Sequence, residues 1–360
     1  MKTSLIERIF PTPTYVRMNS VGFDISDRSM KFAELTLGKG GLVLARYGET
    51  PIPDGILNSG KIEKPAEFKN FLLEFKKIHK FDRVRISLPE EQMYLYTLSM
   101  DAVSPKELHN ALELSLEEHI PIKASEVVFD YTVLSEKKGA IVVEVTAVPE
   151  SFVESYLEPF EEAGLTVLSC ELETHAIARA VIPNGDVGTY MIVDFGQTRT
   201  GISIVSEGGV RFTSTLDIGG IAISNALSHE LKISFEEAEK IKSSEGLGAR
   251  EHSSEAFPII LASVAALRDE INKHYVYWHT HKDENGNPRP EISRLLLCGG
   301  NANVPGLVDY LKSTIGVGVG LANPWENINT LEHYLPELSR NNALSYTSAL
   351  GLALGDFKYD

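Results

Sequence analysis

The sequence predicts an α/β fold made of two related halves, the first of which carries an α+β insertion. One observation is that a meander of three apolar-alternating strands occurs twice, each time opening with a strand that has an aspartate near its end, Asp24 or Asp194. The two aspartates are about 170 residues apart, a period too long for a solenoid repeat. A second observation is a self-contained stretch between residues 81 and 164, about 85 residues long, which is enough for a small domain.

Composition narrows the class of protein. The chain has 360 residues, of which 43% are hydrophobic and 23% charged, so it has an ordinary globular composition. Its formal net charge of −16 argues against broad binding to nucleic acid or to anionic lipid. No segment approaches the ~18 apolar residues of a membrane span. Cys170 and Cys298 lack metal-ligand spacing and suggest buried thiols in a reducing compartment. We expect a cytoplasmic protein that reaches a membrane only through a partner and binds no nucleic acid.

The first half and the insertion follow from local patterns. Residues 1–18 hold two prolines and several polar residues, and we expect a mobile tail there. In the insertion, Ser104 is a predicted N-cap with Pro105 and Glu107 behind it. Strands are predicted at 21–25, 29–37, 42–50, 83–88, 92–100, 127–134 and 140–148, and helices at 65–79, 105–118 and 149–163.

The second half repeats the strand meander and then becomes mainly helical. Ser234 and Glu237 form a capping-box pattern at the start of one helix. A buried strand over 294–297 runs into paired glycines. The other predicted elements are strands at 165–168, 190–194, 200–206 and 210–216, and helices at 173–181, 221–231, 234–242, 256–281, 307–313 and 346–354.

Two polar turns follow the strands that contain Asp24 and Asp194. Residues 22–31 read GFDISDRSMK and residues 193–201 read VDFGQTRTG. Turns of this kind direct backbone N–H groups at an anion, and an adjacent aspartate suits a hard cation such as Mg²⁺, usually through water. Either loop alone also fits an ordinary β-hairpin. Their equivalent positions in the two halves favour a shared role.

Two further elements are candidates for ligand contact. Gly299 and Gly300 follow the buried strand, and glycines allow a flat ligand to approach the backbone closely. Glu239 and Lys242 are three residues apart on a predicted helix, so they share one face and could bracket a ribose. A solvated ion pair is the alternative for Glu239 and Lys242.

These four elements, in this order, resemble the actin-like ATPase superfamily, and within it the PilM family of type IV pilus assembly proteins. Residues 22–35 are similar to the family's first phosphate segment, which typically reads GIDIGSSSIKAVEL, and residues 193–205 to the second. Residues 216–220, Glu239 with Lys242, and residues 297–307 resemble the segments that follow. The resemblance covers residues 20–357. It implies an actin-like fold, a ribonuclease H-like duplicated bilobal fold, with the inserted subdomain of the FtsA and PilM proteins.

The resemblance also implies a role for each site residue. ATP would bind between the lobes, with Asp24 and Asp194 holding Mg²⁺ through water. Glu239 and Lys242 would reach the ribose, and Gly299, Gly300 and Asn303 would line the adenine slot. The phosphate contacts would come from Ser26, Arg28, Ser29, Lys31, Gly196, Gln197, Thr198 and Thr200, followed by Gly219 and Gly220.

The implied subdomains follow the actin plan. Subdomain 1A covers residues 19–80 and is continued by about 165–189 and 335–360, and subdomain 1C is the insertion at 81–164. Subdomain 2A covers 190–220 and is continued by about 292–334, and subdomain 2B covers 221–291. In this family the protein works at the cytoplasmic face of the inner membrane. It binds the N-terminal cytoplasmic peptide of a PilN-like membrane protein and joins other pilus motor or alignment-complex proteins.

The sequence departs from the family pattern in the first turn. Ser26 stands where glycine is usual, Asp27 would repel phosphate if it pointed inward, and Arg28 would attract it. The affinity for nucleotide is therefore open. No residue that would position an attacking water is identifiable, so the catalytic residues are unknown and we expect a weak or absent ATPase.

Other classes remain as alternatives. A nucleotide-free scaffold of the same fold is one, because fold does not guarantee activity. An FtsA-like division protein is another, although the C-terminal residues show no amphipathic helix. A sugar kinase would need a catalytic carboxylate such as Asp217, but no sugar-kinase signature surrounds it. A metal site at His274, His279 and His281 lacks the acidic or cysteine ligands that would complete it.

Overall fold

The computed structural model describes residues 20–38, 41–137, 139–248, 255–283, 286–328 and 334–357. The predicted tail at 1–18 lies outside the described residues.

The strands are β1 (Val21–Ile25), β2 (Ser29–Gly38), β3 (Gly41–Pro51), β4 (Leu57–Asn58), β5 (Lys61–Ile62), β6 (Arg83–Leu88), β7 (Tyr94–Asp101), β8 (Val127–Lys137), β9 (Ala140–Pro149), β10 (Thr166–Leu172), β11 (Tyr190–Phe195), β12 (Thr200–Ser206), β13 (Gly209–Leu216), β14 (Arg294–Cys298) and β15 (Val319–Leu321). The helices are α1 (Pro65–His79), α2 (Pro105–His119), α3 (Glu150–Glu162), α4 (Glu173–Val181), α5 (Gly220–Leu231), α6 (Phe235–Ser244), α7 (Ala256–Thr280), α8 (Leu307–Thr314), α9 (Arg340–Ala343) and α10 (Thr347–Leu354).

The chain forms two compact units, and it enters each of them more than once. Unit 1 consists of Met1–Pro89, Phe152–Asn184 and Asn323–Asp360. Unit 2 consists of Glu90–Ser151 and Gly185–Ala322.

Unit 1 is built on a five-stranded sheet in the order β10-β6-β1-β2-β3. β1 pairs antiparallel with β2 and parallel with β6, which confirms the predicted meander and adds two parallel strands. Phe23 of β1 lies against Phe75, Phe81 and Phe160 in an aromatic core. α10 crosses the other face so closely that a Cβ atom at Gly22 would lie 2.1 Å from a backbone oxygen of that helix.

Unit 2 contains a second five-stranded sheet with the same plan, in the order β13-β12-β11-β14-β15. β11 pairs antiparallel with β12 and parallel with β14, as β1 does with β2 and β6. The buried positions of β14 are continuous, as expected for a parallel strand covered on both faces. The duplication predicted from Asp24 and Asp194 is therefore present in the topology, and each aspartate is the second-last residue of its strand.

The insertion forms a small antiparallel sheet in the order β7-β9-β8. Leu108, Leu112 and Leu116 of α2 pack on its β9 side chains, including Val143 and Val145. The predicted capping box at Ser104 is formed. The sheet belongs with unit 2, where a Cβ atom at Gly209 would lie 2.3 Å from a side-chain carbon of Leu134.

Two elements that the sequence grouped with this insertion lie elsewhere. β6 pairs with β1 and β10 in the sheet of unit 1, and the α3 side chain of Phe160 enters the core of that unit. Their apolar faces fit a larger core than three antiparallel strands provide, because β6 is buried on both faces. The subdomain boundaries drawn from the sequence stay predictions.

No helix within the described ranges is both long enough and apolar enough to cross a membrane.

Candidate functional site

The turn that joins β1 to β2 is closed by the side chain of Ser26. Its hydroxyl donates to the carbonyl of Ser29 at 2.9 Å and accepts from the N–H of Ser29 at 3.2 Å. The backbone N–H of Ser26 also donates to that carbonyl, at 3.0 Å. The hydroxyl that the sequence offered as a phosphate donor therefore holds the turn itself.

The two charged residues of this turn are both tied to the segment before α1. Asp27 accepts a hydrogen bond from the N–H of Gly60 at 3.0 Å between Oδ1 and N. Arg28 forms an ion pair with Asp54 through its guanidinium. The repulsion expected from an inward Asp27 is thus reduced by a backbone donor.

A row of three charges crosses the strands behind the turn. Asp24 on β1 is opposite Lys31 on β2, and Lys31 is opposite Glu49 on β3. The Lys31 Nζ lies 3.5 Å from a Glu49 carboxylate oxygen and 3.3 Å from the hydroxyl of Ser29. Burial raises the pKa of Asp24 above its usual range, and the adjacent Lys31 charge opposes that rise.

In unit 2 the equivalent turn is held by backbone groups. The N–H of Gly196 donates to the carbonyl of Arg199 at 3.0 Å. The carbonyl of Gly196 accepts from the N–H of Gly220 at 3.0 Å and from Asn301 Nδ2 at 2.8 Å. The N–H of Ile221 donates to the carbonyl of Gln197 at 2.9 Å. The first N–H groups of α5 are therefore bonded to the turn.

Close backbone approach explains why glycines surround this turn. A Cβ atom at Gly219 would lie 2.3 Å from the carbonyl oxygen of Gln197 and 2.4 Å from the carbonyl carbon of Thr198. Gly299 has a positive φ of +86°, and a Cβ atom there would lie 2.4 Å from Asp194 Oδ1. Gly219 therefore requires glycine for space, and Gly299 requires it for both conformation and space.

Asp194 has a packed side and an open side. Its Oδ1 lies 3.8 Å from the Cys298 sulfur, and Gly299 closes the same side. At Gly201, on the neighbouring strand, a Cβ atom would meet only the Cβ of Asp194, at 3.8 Å. The strand beside Asp194 therefore has room for a Cβ atom at Gly201, within ordinary van der Waals distance of the aspartate.

The predicted pair on α6 is formed and reaches α5. Lys242 is buried, and its Nζ donates to Glu239 Oε1 at 2.7 Å and to the carbonyl of Gly220 at 3.2 Å. The hydroxyl of Ser224 also donates to Glu239. The Glu239 side chain remains 36% exposed, so it is available to a hydroxyl group, whereas Lys242 supports the start of α5.

The loop after β14 packs on the end of α6. Residues Gly300–Asn303 form a 3-10 turn. The N–H of Leu247 donates to the carbonyl of Pro305 at 2.7 Å, and Gly306, at a φ of +76°, would bring a Cβ atom within 2.7 Å of the Leu247 backbone. This loop and the α6 pair therefore belong to one packed region.

The structure brings the predicted site residues into two groups. Asp24, Ser26, Arg28, Ser29 and Lys31 share the β1–β2 hairpin of unit 1. Within unit 2, a second group joins the β11–β12 turn to α5, α6 and the loop after β14, and comprises Asp194, Gly196, Gln197, Thr198, Thr200, Gly219, Gly220, Glu239, Lys242, Gly299, Gly300 and Asn303.

Sequence reasoning missed several members of these groups. Asn301 binds the turn carbonyl at Gly196, and its place beside the paired glycines was a usable signal. Ser224 and Glu49 carried no local signal, because each becomes relevant only through the packing of another element. Arg199, at the end of the turn, forms an ion pair with Glu91 of the insertion.

A histidine metal site is not supported. Within the part of the chain that is described, no group of three or more His, Cys, Asp or Glu side chains could hold a metal ion. His274 packs against Phe212, and burial lowers its pKa. His279 Nδ1 lies 2.8 Å from the carbonyl oxygen of Tyr275. Neither Cys170 nor Cys298 is part of a disulfide, and Cys298 is buried whereas Cys170 is only partly so.

Comparison with known proteins settles the family. Residues 22–357 match the family profile described as type IV pilus assembly protein PilM. The chain belongs to this PilM family. The match begins at the first strand of the β1–β2 hairpin and ends just after α10, so it includes both groups of site residues.

The curated relatives include a cell division protein and an ethanolamine utilization protein. The cell division protein FtsA of Enterococcus hirae is 26% identical over 227 residues, which is 56% of this chain and 51% of that protein. The ethanolamine utilization protein EutJ of Escherichia coli is 29% identical over 152 residues, 42% of this chain and 46% of that protein. The chain thus spans about half the length of the curated relatives that it matches.

Solved structures show the fold. A PilM-PilN type IV pilus biogenesis complex gives a TM-score of 0.78 at 21% identity, covering 95% of this chain and all of that chain. MreB5 of Spiroplasma citri bound to ADP gives 0.52 at 12% identity, covering 91% of this chain and 94% of that chain. This PilM-family chain has the actin-like ATPase fold, which confirms the expectation from the sequence.

Proposed function

We propose that this PilM-family protein binds ATP with Mg²⁺ and the N-terminal cytoplasmic peptide of a PilN-like membrane protein during type IV pilus assembly. The family match over residues 22–357 is the observation that carries the proposal. A similar structure is a PilM-PilN complex, and another of the same fold is bound to ADP. The protein would be cytoplasmic, peripheral at the inner membrane, and would meet other pilus motor or alignment proteins there.

The donor chemistry of unit 2 fits part of a nucleotide. Glu239 presents a partly exposed carboxylate that suits ribose hydroxyls. Asp194 lies beside Gly201, where a Cβ atom would meet only the Cβ of Asp194, and it offers the hard oxygen ligand that Mg²⁺ prefers. The glycine-rich turn at Gly299 and Gly300 allows a flat base to approach the backbone.

The positive charge available for phosphates is limited. Each of the three cationic residues singled out from the sequence has a carboxylate partner: Asp54 for Arg28, Glu49 for Lys31 and Glu239 for Lys242. Bound Mg²⁺ would supply the missing charge, and Asp24 and Asp194 are the residues we assign to hold it through water. We expect a weak or absent ATPase activity.

The same ion pairs favour a second candidate function, a scaffold that has lost its nucleotide. All three pairs are formed by side chains of the protein alone, so no nucleotide is needed to neutralise these cations. Under this alternative the partner peptide binds equally well with and without ATP. Titration with nucleotide distinguishes the ATP-binding proposal from the scaffold alternative.

The nucleotide proposal is tested by titrating a fluorescent ATP analogue with Mg²⁺ against the wild type and Asp194→Asn. Loss of the carboxylate should weaken binding about tenfold, or ~1.4 kcal/mol. Asp309→Asn, an exposed change in the same unit, is the control and should bind like the wild type. Equal affinity in both variants removes Asp194 from the site, and no binding by the wild type favours the scaffold.

The partner proposal is tested by calorimetry with the N-terminal peptide of a co-encoded membrane protein that spans the membrane once. A scrambled peptide of the same composition is the control. We expect saturable binding of the native peptide only. No heat of binding at millimolar peptide would contradict the assignment.

A further inference from the structure

A carboxylate outside both predicted loops faces the lysine of the first loop. Glu49 lies on β3, directly across from Lys31 on β2, which in turn lies across from Asp24 on β1. Directly opposite residues of neighbouring antiparallel strands project from the same face of the sheet. The three charges therefore form a negative–positive–negative row, with the lysine in the middle.

The geometry favours Glu49 over solvent as the partner of Lys31. The Lys31 side chain is only 16% exposed, and its Nζ lies 3.5 Å from a Glu49 oxygen. The hydroxyl of Ser29 accepts its other described contact, at 3.3 Å. One ammonium group thus faces two carboxylates across the row, and a phosphate that used Lys31 would compete with Glu49 for it.

We propose that Glu49 is a positioning residue that weakens phosphate binding at the β1–β2 hairpin by holding Lys31. The proposal rests on the proposed function, because it takes the phosphates of a nucleoside di- or triphosphate as the ligand of Lys31. Asp24 cannot take this role without losing its own, since it is the assigned Mg²⁺ ligand. Glu49 is not an assigned Mg²⁺ ligand, so its charge can change the affinity of the hairpin for phosphate without changing the Mg²⁺ site.

A matched pair of variants tests this. Glu49→Gln removes one negative charge beside Lys31, and Glu34→Gln removes one from the same sheet, where Glu34 pairs with Arg46 instead. Both ion pairs are partly exposed and each is worth about 1 kcal/mol or less, so both variants should fold. Titration of a fluorescent ADP analogue with Mg²⁺ should show Glu49→Gln binding about three- to tenfold tighter, with Glu34→Gln within twofold of the wild type.

Three results would overturn the proposal. They are an unchanged affinity in Glu49→Gln, a weaker affinity in that variant, and equal tightening in both variants, which would report net charge alone. A wild type that binds no nucleotide instead contradicts the proposed function. In that case, gain of binding by Glu49→Gln supports the inference, and continued lack of binding overturns it.

A second readout does not require nucleotide. Lys31 acylation by a water-soluble active ester, followed by mass spectrometry, reports whether the amine is held. We expect faster labelling of Lys31 in Glu49→Gln and an unchanged rate in Glu34→Gln. An unchanged Lys31 rate in Glu49→Gln would show that the carboxylate does not hold the amine, and would overturn the inference.

Discussion

The β1–β2 hairpin, which contains Asp24, and the β11–β12 hairpin, which contains Asp194, have the same strand pairing. Different groups form the hydrogen bonds that close their turns. In unit 1, the side chain of Ser26 closes the turn, and Asp27 and Arg28 tie it to a neighbouring segment. In unit 2, the backbone groups of Gly196 and Gly220 form the hydrogen bonds that hold the turn, and these bonds need no side chain of the turn.

This difference explains where the chain departs from the family pattern. A turn held by side chains accepts residues other than glycine, and the hydroxyl of Ser26 makes bonds that a glycine would lack. A turn packed backbone against backbone has no room for a Cβ atom, as Gly219 and Gly299 show. In this chain the turn of unit 1 therefore accommodates a serine, whereas Gly219 and Gly299 of unit 2 leave no space for a side chain.

Among the variants that test this difference, Gly299→Ala in unit 2 is expected to lose the most stability. A Cβ atom would lie 2.4 Å from Asp194 Oδ1 and 2.6 Å from the carbonyl oxygen of Phe195, at a φ of +86°. We expect the free energy of unfolding to fall by about 3 kcal/mol or more, measured by urea denaturation. Gly208→Ala is the control, because it has a φ of +81° with no atom within 4 Å. It should lose only about 1 kcal/mol, the cost of the backbone conformation. Equal losses in both would contradict close packing at Gly299.

An intermediate loss of stability is expected from Lys242→Met. The change removes the buried ammonium and leaves Glu239 and the Gly220 carbonyl without that donor. We expect a loss of about 2 kcal/mol, lower than for a fully buried pair because Glu239 is partly exposed. Thermal and urea unfolding measure it. Lys240→Met, exposed on the same helix, should change stability by less than about 0.5 kcal/mol. If the two variants match, Lys242 does not support the α5 start.

The smallest effect is expected from Ser26→Gly in unit 1. The variant loses the side-chain bonds of the turn but keeps its backbone bond, so we expect a loss of about 1 kcal/mol. Ser26→Thr keeps a hydroxyl and should stay closer to the wild type. Urea denaturation of both variants measures the difference. A stable Ser26→Gly beside a destabilised Ser26→Thr would show that the hydroxyl does not hold the turn.

Much of the fold was predictable because its signals are local. Alternating strands around Asp24 and Asp194 define both meanders, and capping residues such as Ser104 and Ser234 mark helix starts. The candidate site was predictable where glycines and aspartates follow strands. The pairing of Glu239 with Lys242 needed only helical spacing, and the structure forms it.

The rest depended on packing between elements that are distant in sequence. Glu49 meets Lys31 only through the register of β2 and β3, which shifts at an irregularity between Glu34 and Leu35. Ser224 meets Glu239 because α5 and α6 pack together. The sequence grouped β6 with the insertion because it is a short apolar strand that fits either sheet, and only its pairing with β1 and β10 assigns it to the sheet of unit 1.

The close crossing of α10 over Gly22 has a consequence for synthesis on the ribosome. About 320 residues separate β1 from the helix that covers it, so β1 is synthesised long before that helix. The face of the unit 1 sheet that this helix covers therefore stays uncovered until those intervening residues have been synthesised. Residues 185–322 of unit 2 can complete their own sheet earlier. During synthesis, the apolar face of the unit 1 sheet should accordingly stay exposed for longer than that of the five-stranded sheet of unit 2.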